Sequence, residues 1–210
     1  MTTIDLFPLG LVLFPETEIP LHIYEEKYKK LISKAIKNKS QFGVNQSTSK
    51  KFFEVGCIAE VSKIVHRYED GQYDILVRGT GRYEVKRLFN PKDEIWTGEV
   101  EYVEDYPELI DVYLVAKCVD YYNQIADTVK RLNIIKLDAE KLRTPTPSFL
   151  MSTKAGLTNQ EKQTVLEFRS ENKRLHFLYN HLKSLVPMLQ QAEHLSQIIK
   201  NDGYIQYPPP

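Results

Sequence analysis

Few side chains in this sequence could act as nucleophiles or redox groups. Cys57 and Cys118 are its only cysteines, and they lack the C-x-x-C spacing of a redox pair. The residue type favours a small buried side chain at both positions. A thiol nucleophile at Cys57 remains open, although no histidine stands next to it in the sequence.

The histidines do not stand at the spacings of metal ligands. His22 precedes Glu25 and Glu26, which is not the i, i+4 histidine pair of a zinc-binding helix. His176 and His181 are five positions apart and therefore point in different directions on a helix. We predict neither a metal site nor a cofactor, and we expect His22 to cap a strand or form a local hydrogen bond.

Motifs for nucleotide binding and peptide hydrolysis are also missing. No G-x-x-x-x-G-K-[ST] occurs, so the sequence has no P-loop. The G-x-G at Gly79–Gly81 lies between two strand patterns and not between a strand and a helix, which excludes a dinucleotide site. Ser184 directly follows Lys183, a pairing that occurs by chance. The sequence therefore predicts a protein that is not an enzyme and has no catalytic residues.

Aromatic residues are the most suggestive candidates for binding. Phe52 and Phe53 follow a polar loop, and adjacent side chains of extended backbone point in opposite directions, so one of the two is expected to face solvent. Tyr68 and Tyr73 flank the Glu69–Gly71 turn. Exposed aromatic residues often anchor peptide partners. We predict that these four residues contribute to a binding surface; the alternative is that they pack in the core.

Composition and charge argue against several classes of protein. Lys and Arg number 28, as do Asp and Glu, so the net charge is zero, whereas nucleic-acid-binding domains usually carry a basic excess. No run approaches the ~18 apolar residues of a membrane span, and the first residues lack the basic region of a signal peptide. The two cysteines suit a reducing compartment. We expect a cytoplasmic protein without membrane or nucleic-acid partners.

The opening segment changes its periodicity twice. Leu6–Phe14 is an apolar run that ends at Pro15, because proline has no N–H for a sheet ladder. Ile19–Ile23 alternates with the period of a strand that has one buried face. Apolar residues in Glu25–Ile36 then recur at helical spacing, with lysines between them. The segment predicts two short strands followed by an amphipathic helix.

Strand patterns continue to residue 102. Gly56–Arg67 and Gln72–Arg78 lie on either side of Asp70-Gly71, which is a strong hairpin signal because glycine accepts a positive φ. Further strands are predicted at 41–45, 82–89 and 96–102. Strand signals then end at Glu104–Pro107, where the composition changes.

Helical periodicity dominates the rest of the chain. Ile110–Leu132 predicts one helix, and Thr158 with Glu161 forms a capping box at the start of another. Glu171–Asn201 predicts a long final helix that Pro187 should kink or break. The fold class is therefore predicted as α+β, with a β-rich subdomain at 1–105, a helical bundle at 106–203 and a proline-rich tail at 204–210.

Several of these segments resemble the amino-terminal domain of Lon proteases. The resemblance covers roughly residues 4 to 200. The segments that show it are PLGLVLFP, PLHIYEEKY, GCIAEVSKI, DGQYDILVRGTGRYEV, WTGEVEYVE and LTNQEKQTVLEFRSENKRLHFLYNHL. It implies a PUA-like β pseudo-barrel followed by a C-terminal α-helical bundle. We expect a free-standing copy of that domain, because the ATPase and serine–lysine peptidase modules of Lon cannot fit after residue 201.

The resemblance also implies a function. We expect a non-catalytic module that binds unfolded or peptide segments of partner proteins, as a substrate-recognition or adaptor protein that serves a protease or chaperone system. A PUA-like module for a small ligand or RNA is the alternative, and an enzyme that uses Cys57 or His22 is a third hypothesis. Neutral charge argues against the RNA version.

Overall fold

The computed structural model describes residues 2–92, 94–129 and 133–202. They form two compact units: the first contains the described residues up to Glu108 together with Phe149–Glu171, and the second contains the remainder. The boundary predicted after residue 105 falls near the end of the first unit, but the segment 149–171, which was predicted to belong to the helical subdomain, groups with the strands. The predicted tail at 204–210 lies outside the described residues.

The element order confirms the predicted α+β class. The strands are β1 (Thr2–Leu9), β2 (Glu18–Ile23), β3 (Phe42–Gln46), β4 (Val55–Arg67), β5 (Tyr73–Phe89) and β6 (Trp96–Val103). The helices are α1 (Glu26–Asn38), α2 (Val112–Thr128), α3 (Pro147–Ser152), α4 (Asn159–Glu167) and α5 (Glu171–Asp202), with a short 3₁₀ helix at Ala139–Leu142. None of the helices in the described part of the chain is both long and apolar enough to cross a membrane.

Five of the strands close into a ring. Their order is β5–β4–β3–β1–β6, and β6 pairs back with β5. All neighbours in the ring are antiparallel except β1 and β3, which run parallel with Phe7 opposite Val44. The sequence did not indicate this parallel pair, which arises because β2 and α1 form the crossover between the two strands. Among the strands that the structure describes, β2 pairs with β5 alone and is not a member of the ring.

Helix α1 packs its apolar side against the sheet, as its periodicity predicts. Tyr28, Leu31, Ile32 and Ala35 are buried in a core cluster that also contains residues of β4 and β5. The helix ends at Lys39, whose φ of 50° is left-handed. This turn directs the chain into β3.

The hairpin predicted at Asp70-Gly71 joins β4 to β5. Gly71 has a φ of 82°, and the Tyr68 N–H donates to the Gln72 carbonyl at 3.0 Å. Tyr68 and Tyr73 flank the turn, but their environments differ: Tyr73 is 5% exposed and Tyr68 is 39% exposed. The two side chains therefore do not contribute to one surface.

A buried arginine joins the ring of strands to the helical segment of the same unit. Arg82 of β5 donates from Nη1 to the carbonyl oxygens of Leu166 and Phe168, at 2.7 and 2.6 Å. Its Nη2 donates to the Asp105 carboxylate, and its guanidinium lies over the Phe149 ring at 5.6 Å from the centroid. One side chain thus satisfies acceptors from two separate parts of the chain.

Two predictions about helices have different outcomes. The capping box of α4 is confirmed, because the Glu161 N–H donates to Thr158 Oγ1 at 3.3 Å and the Thr158 N–H donates to Glu161 Oε2 at 2.8 Å. A break at Pro187 is wrong, because α5 continues through this residue. The stability of a helix in a protein comes mainly from the packing of its apolar side. Leu182 and Val186 are buried just before Pro187, and this packing stabilises the helix although the proline removes a backbone hydrogen bond.

Replacing Arg82 should destabilise the protein strongly. We expect Arg82→Met to lower the free energy of unfolding by about 3 kcal/mol, because the half-buried Asp105 carboxylate and two carbonyl oxygens lose a charged donor. Urea denaturation followed by the fluorescence of Trp96 measures this change. Arg87→Met is the matched control, because the Arg87 side chain is 72% exposed and its ion pair with Glu99 is long, at 3.7 Å. Equal denaturation midpoints for the two variants would show that the hydrogen bonds of Arg82 do not stabilise the fold.

Candidate functional site

The candidate site lies on the part of the sheet that extends beyond the ring. β3 has five residues and pairs with β4 only from Cys57 to Ala59, whereas β4 continues to Arg67. In the part of the chain that the structure describes, no strand pairs with the side of Glu60–Arg67 that faces away from β5; we call this side the free edge. We call the three-stranded region that carries it the outer sheet, made of Glu60–Arg67, Tyr73–Arg78 and β2.

A cleft of about 580 Å³ lies between the free edge and the end of α1. One wall consists of the last turn of the helix and the two residues after it. The other wall consists of five consecutive residues of β4 together with one arginine of β5. The lining residues are Ala35, Ile36, Lys39, Ser40, Glu60, Val61, Ser62, Lys63, Ile64 and Arg78.

Apolar side chains continue from the core into this cleft. Ile36 and Val61 are half-buried and pack against the core cluster of α1 and the sheet. Ile64 is 43% exposed and its neighbour Val65 is 58% exposed. An unpaired strand edge is a template for another chain, and apolar residues beside it add to this tendency. The arrangement suits an extended polypeptide that supplies both backbone groups and apolar side chains.

Cationic side chains outnumber anionic ones on the walls of the cleft. Lys39 stands on the helix wall, Lys63 on the strand wall, and Arg78 is the third cation beside the single carboxylate of Glu60. The Arg78 Nη2 lies 2.7 Å from Glu16 Oε2. Lys39 and Lys63 form no ion pair with any residue that the structure describes. Their two charges are therefore available to a bound molecule.

A second cluster on the outer sheet combines histidine, tyrosine and aspartate. His22 Nδ1 lies 2.7 Å from Asp74 Oδ1 on the neighbouring strand β5, so its partner is not local in the sequence as expected, and the Tyr68 hydroxyl donates to Asp74 Oδ2 at 2.7 Å. The His66 ring lies 4.4 Å from the Tyr68 ring, and Tyr24 stacks on His22 at 6.0 Å. The hydrogen bonds from His22 and then Tyr68 lower the pKa of the Asp74 carboxyl, and the bond to Asp74 raises the pKa of Tyr68.

The structure places two potentially reactive groups, the Cys57 thiol and the Tyr68 phenol, in surroundings that keep them protonated. Cys57 is fully buried, and this burial raises its pKa to about 12, so the thiol stays protonated at neutral pH and is a poor nucleophile. The Tyr68 phenol also has a raised pKa. No group of three His, Cys, Asp or Glu side chains in the described ranges could hold a metal ion.

The four aromatic residues predicted as binding residues do not form one site. Phe52 and Phe53 precede β4 and Tyr68 follows it, so about 40 Å of strand separates them along the chain. Phe52 packs on Trp96 at 5.8 Å between ring centroids, and Phe53 lies under the Lys51 ammonium at 4.3 Å. Tyr73 belongs to the core cluster. Of the four, only Tyr68 is exposed on the outer sheet, and a binding role for any of them stays a prediction.

The lining residues of the cleft were not singled out from the sequence. Ile64 and Val65 were assigned to a strand, but a strand pattern does not show which edge has a partner. One signal was present: Gly56–Arg67 is a long strand pattern, whereas the pattern at Gln41–Asn45 is short. The short strand cannot cover the whole length of the long one.

Comparison with protein families gives one match over most of the chain. The family model described as the ATP-dependent protease La (LON) substrate-binding domain matches residues 3–184. The chain is 27% identical over 218 residues to the Lon protease of Buchnera aphidicola subsp. Acyrthosiphon pisum, covering 94% of this chain and 27% of that protein. It is 25% identical over 212 residues to Lon protease 1 of Hydrogenovibrio crunogenus, covering 93% of this chain and 26% of that protein. The chain thus spans about a quarter of the length of these curated relatives.

Solved structures share the fold. A Lon N-terminal domain protein from Xanthomonas campestris superposes with a TM-score of 0.65 at 23% identity, over 85% of this chain and 97% of that one. The N-terminal domain of a Mycobacterium avium complex Lon protease superposes with a TM-score of 0.62 at 17% identity, over 87% of this chain and 98% of that one. At these identities the likeness supports the fold alone.

The Asp74 cluster generates a prediction about acid sensitivity. Tyr68→Phe should raise the pKa of Asp74, and His22→Ala should raise it by more, because each removes a hydrogen bond to the carboxylate and the bond from His22 has the larger effect. Since the folded-state pKa of Asp74 lies below its unfolded value, the cluster stabilises the fold above the unfolded pKa, and this contribution is lost as pH falls through the folded pKa.

Carboxyl-carbon NMR titration measures this pKa directly. Tyr102→Phe serves as the control, because Tyr102 is 60% exposed and lies on β6. If the pKa of Asp74 is the same in the parent protein and in Tyr68→Phe, the hydrogen bond from the Tyr68 phenol does not lower the pKa of this carboxyl.

Proposed function

The chain belongs to the family of the ATP-dependent protease La (LON) substrate-binding domain, and we propose that it is a non-catalytic recognition module for unfolded or extended segments of partner proteins. One observation carries the proposal. The free edge of β4 displays Ile64 and Val65 beside a cleft whose apolar floor continues into the core. Unfolded polypeptides differ from folded proteins in having accessible backbone groups and apolar side chains, and this surface complements both.

The shape of the cleft favours polypeptide over a small ligand. Sites for small molecules enclose most of the ligand within apolar walls. Here one wall is a strand edge, and Ser62, Lys63 and Ile64 on it are all exposed. An RNA-binding role has little support from charge, because 28 cationic and 28 anionic side chains balance each other.

Absence of catalysis is the second part of the proposal. The protonated thiol of Cys57 and the phenol of Tyr68 are poor nucleophiles, and the sequence contains no P-loop. We infer that any ATP hydrolysis or peptide-bond cleavage coupled to recognition takes place outside these 210 residues. Two buried thiols suit the reducing environment of the cytoplasm, where we place the protein.

Binding to a permanently unfolded protein tests the proposal. The purified chain should bind fluorescently labelled, reduced and carboxymethylated lysozyme in an anisotropy titration. Ile64→Thr should weaken this binding by roughly tenfold or more, because an apolar anchor is lost from the interface. The melting temperature should change little, because Ile64 is 43% exposed and threonine keeps the branched shape that strands favour.

Ile135→Thr provides the matched control. Ile135 is 77% exposed, belongs to the second unit and does not line the cleft. Its affinity for the unfolded protein should equal that of the parent. The proposal fails if the parent does not bind the unfolded protein, or if Ile64→Thr binds as tightly as Ile135→Thr.

The aromatic residues predicted from the sequence can be tested in the same titration. We expect Tyr68→Ala to weaken binding with little effect on thermal stability, because Tyr68 is exposed on the outer sheet. Phe52→Ala should mainly lower the melting temperature, because Phe52 packs on Trp96. Unchanged affinity in Tyr68→Ala and in Phe53→Ala would remove these aromatics from the binding surface.

A further inference from the structure

We propose that a pocket at the start of α1 binds a small, neutral ring compound that carries a hydrogen-bond acceptor. The pocket has a volume of about 280 Å³ and is lined by residues 7–10 and 22–25 together with Tyr28; we call it the aromatic pocket. It shares no lining residue with the cleft beside the free edge. This inference therefore goes beyond the proposed function, and each of the two can fail alone.

Three separate segments enclose the aromatic pocket. They are the end of β1 with the residue after it, the end of β2 with the two residues after it, and the first turn of α1. Phe7, Ile23 and Tyr28 are at most 8% exposed and belong to the core cluster, so core side chains form part of the lining. Enclosure by apolar side chains is typical of small-molecule sites, and the volume lies just below their usual ~300–1,000 Å³. The pocket thus suits a compound of about one ring.

Four of the lining residues have flat rings. The rings of Phe7 and Tyr28 pack at 4.2 Å between centroids, and Tyr24 stacks on His22 at 6.0 Å. Tyr24 is 62% exposed, so its ring is accessible at the rim of the pocket. Aromatic rings attract other aromatic rings in offset or edge-to-face arrangements, beyond the effect of buried area. The lining therefore favours a flat ring over an aliphatic chain.

The Tyr28 hydroxyl supplies the polar contact. Tyr28 is 8% exposed, and its hydroxyl forms no hydrogen bond with any residue that the structure describes. A buried phenol usually has a hydrogen-bond partner. Burial, and then the charge of Glu25, raises the pKa of Tyr28 to about 12, so the hydroxyl stays protonated and can donate. An acceptor oxygen or nitrogen on the bound compound would provide the partner.

The charges around the pocket favour a neutral compound. Glu25 is the only carboxylate in the lining, which contains no Lys or Arg. The Lys27 ammonium lies 3.8 Å from the Glu25 carboxylate and 4.9 Å from the centroid of the Tyr28 ring. Because the two opposite charges offset each other, neither an anion nor a cation gains a net attraction.

The neighbouring strand disfavours a polypeptide at this position. An extended chain would approach the pocket along the outer edge of β2, with which no strand of the described residues pairs. Pro20 lies in the middle of β2, opposite Leu76 of β5. Proline occurs on edge strands with its missing N–H on the unpaired side, so an added strand would lack one donor there. A free compound is therefore favoured over a side chain of a bound polypeptide.

Acetophenone and ethylbenzene are matched probes, because they share a benzene ring and differ by a carbonyl group in place of a methylene. In amide NMR titrations, both should shift the signals of Gly10 and Tyr24, which line the pocket. Tyr28→Phe should weaken the binding of acetophenone about fivefold through loss of one hydrogen bond and leave that of ethylbenzene unchanged. Unchanged acetophenone affinity in Tyr28→Phe, or no shift at the pocket with either probe, would overturn the inference.

Removal of a rim residue tests the location of the site. Tyr24→Ala should weaken the binding of both probes about threefold, because one aromatic wall is lost. Tyr102→Ala is the matched control: Tyr102 is 60% exposed, lies on β6 and does not line the pocket. This variant should bind both probes as the parent does. Equal affinities in the two variants would place the bound ring elsewhere.

The unfolded protein used above separates the two possible sources of the ring. Reduced, carboxymethylated lysozyme should bind without displacing acetophenone, because its site is the free edge of β4. Displacement would assign the pocket to an aromatic side chain of a polypeptide and overturn the inference of a free compound. Binding of acetophenone at the pocket without any binding of the unfolded protein would support this inference and overturn the proposed function alone.

Discussion

The structure depends on the way in which one long strand, β5, pairs with three others. Its second half closes the ring with β6, and its first half pairs with β2, while β4 accompanies both halves. β3 has only five residues and covers β4 as far as Ala59. Closure of the ring therefore leaves the rest of β4 with one edge that no strand in the described residues pairs. The cleft, the exposed Ile64 and the free backbone groups all follow from this mismatch in strand length.

The rest of the first unit makes this exposed edge tolerable. Arg82 fixes the closing strand to the carbonyl oxygens of Leu166 and Phe168, which are contacts made outside the outer sheet. α1 covers one face of the outer sheet with a continuous core. Bulges and charged residues such as Lys63 and Arg67 interrupt the free edge, which limits its pairing with other copies of the chain. In the proposed account, stability and recognition are thus supplied by different parts of the same sheet.

The sequence predicted the strands and helices themselves better than it predicted which strands pair with each other. The period-two patterns, the Asp70-Gly71 hairpin and the Thr158 capping box depend on local rules, and the structure contains each of them. The parallel pairing of β1 with β3 and the burial of Tyr73 depend on which strands meet in three dimensions. Ile64 shows the limit for the site: its apolar type predicted a strand, but its exposure results from a partner strand that ends too early. The periodicity of a sequence describes the two faces of a strand, whereas the proposed recognition depends on an edge of the strand.

Amide hydrogen exchange, with and without bound unfolded protein, tests the central claim most directly. In the free protein, the amides of Glu60–Arg67 that face away from β5 should exchange quickly, because no described strand pairs with them. Binding of a reduced, carboxymethylated protein should slow the exchange of these amides, while the amides of β6 keep their rates. Unchanged exchange along Glu60–Arg67, with new protection confined to another surface such as that around Phe52 and Phe53, would show that polypeptide binds elsewhere.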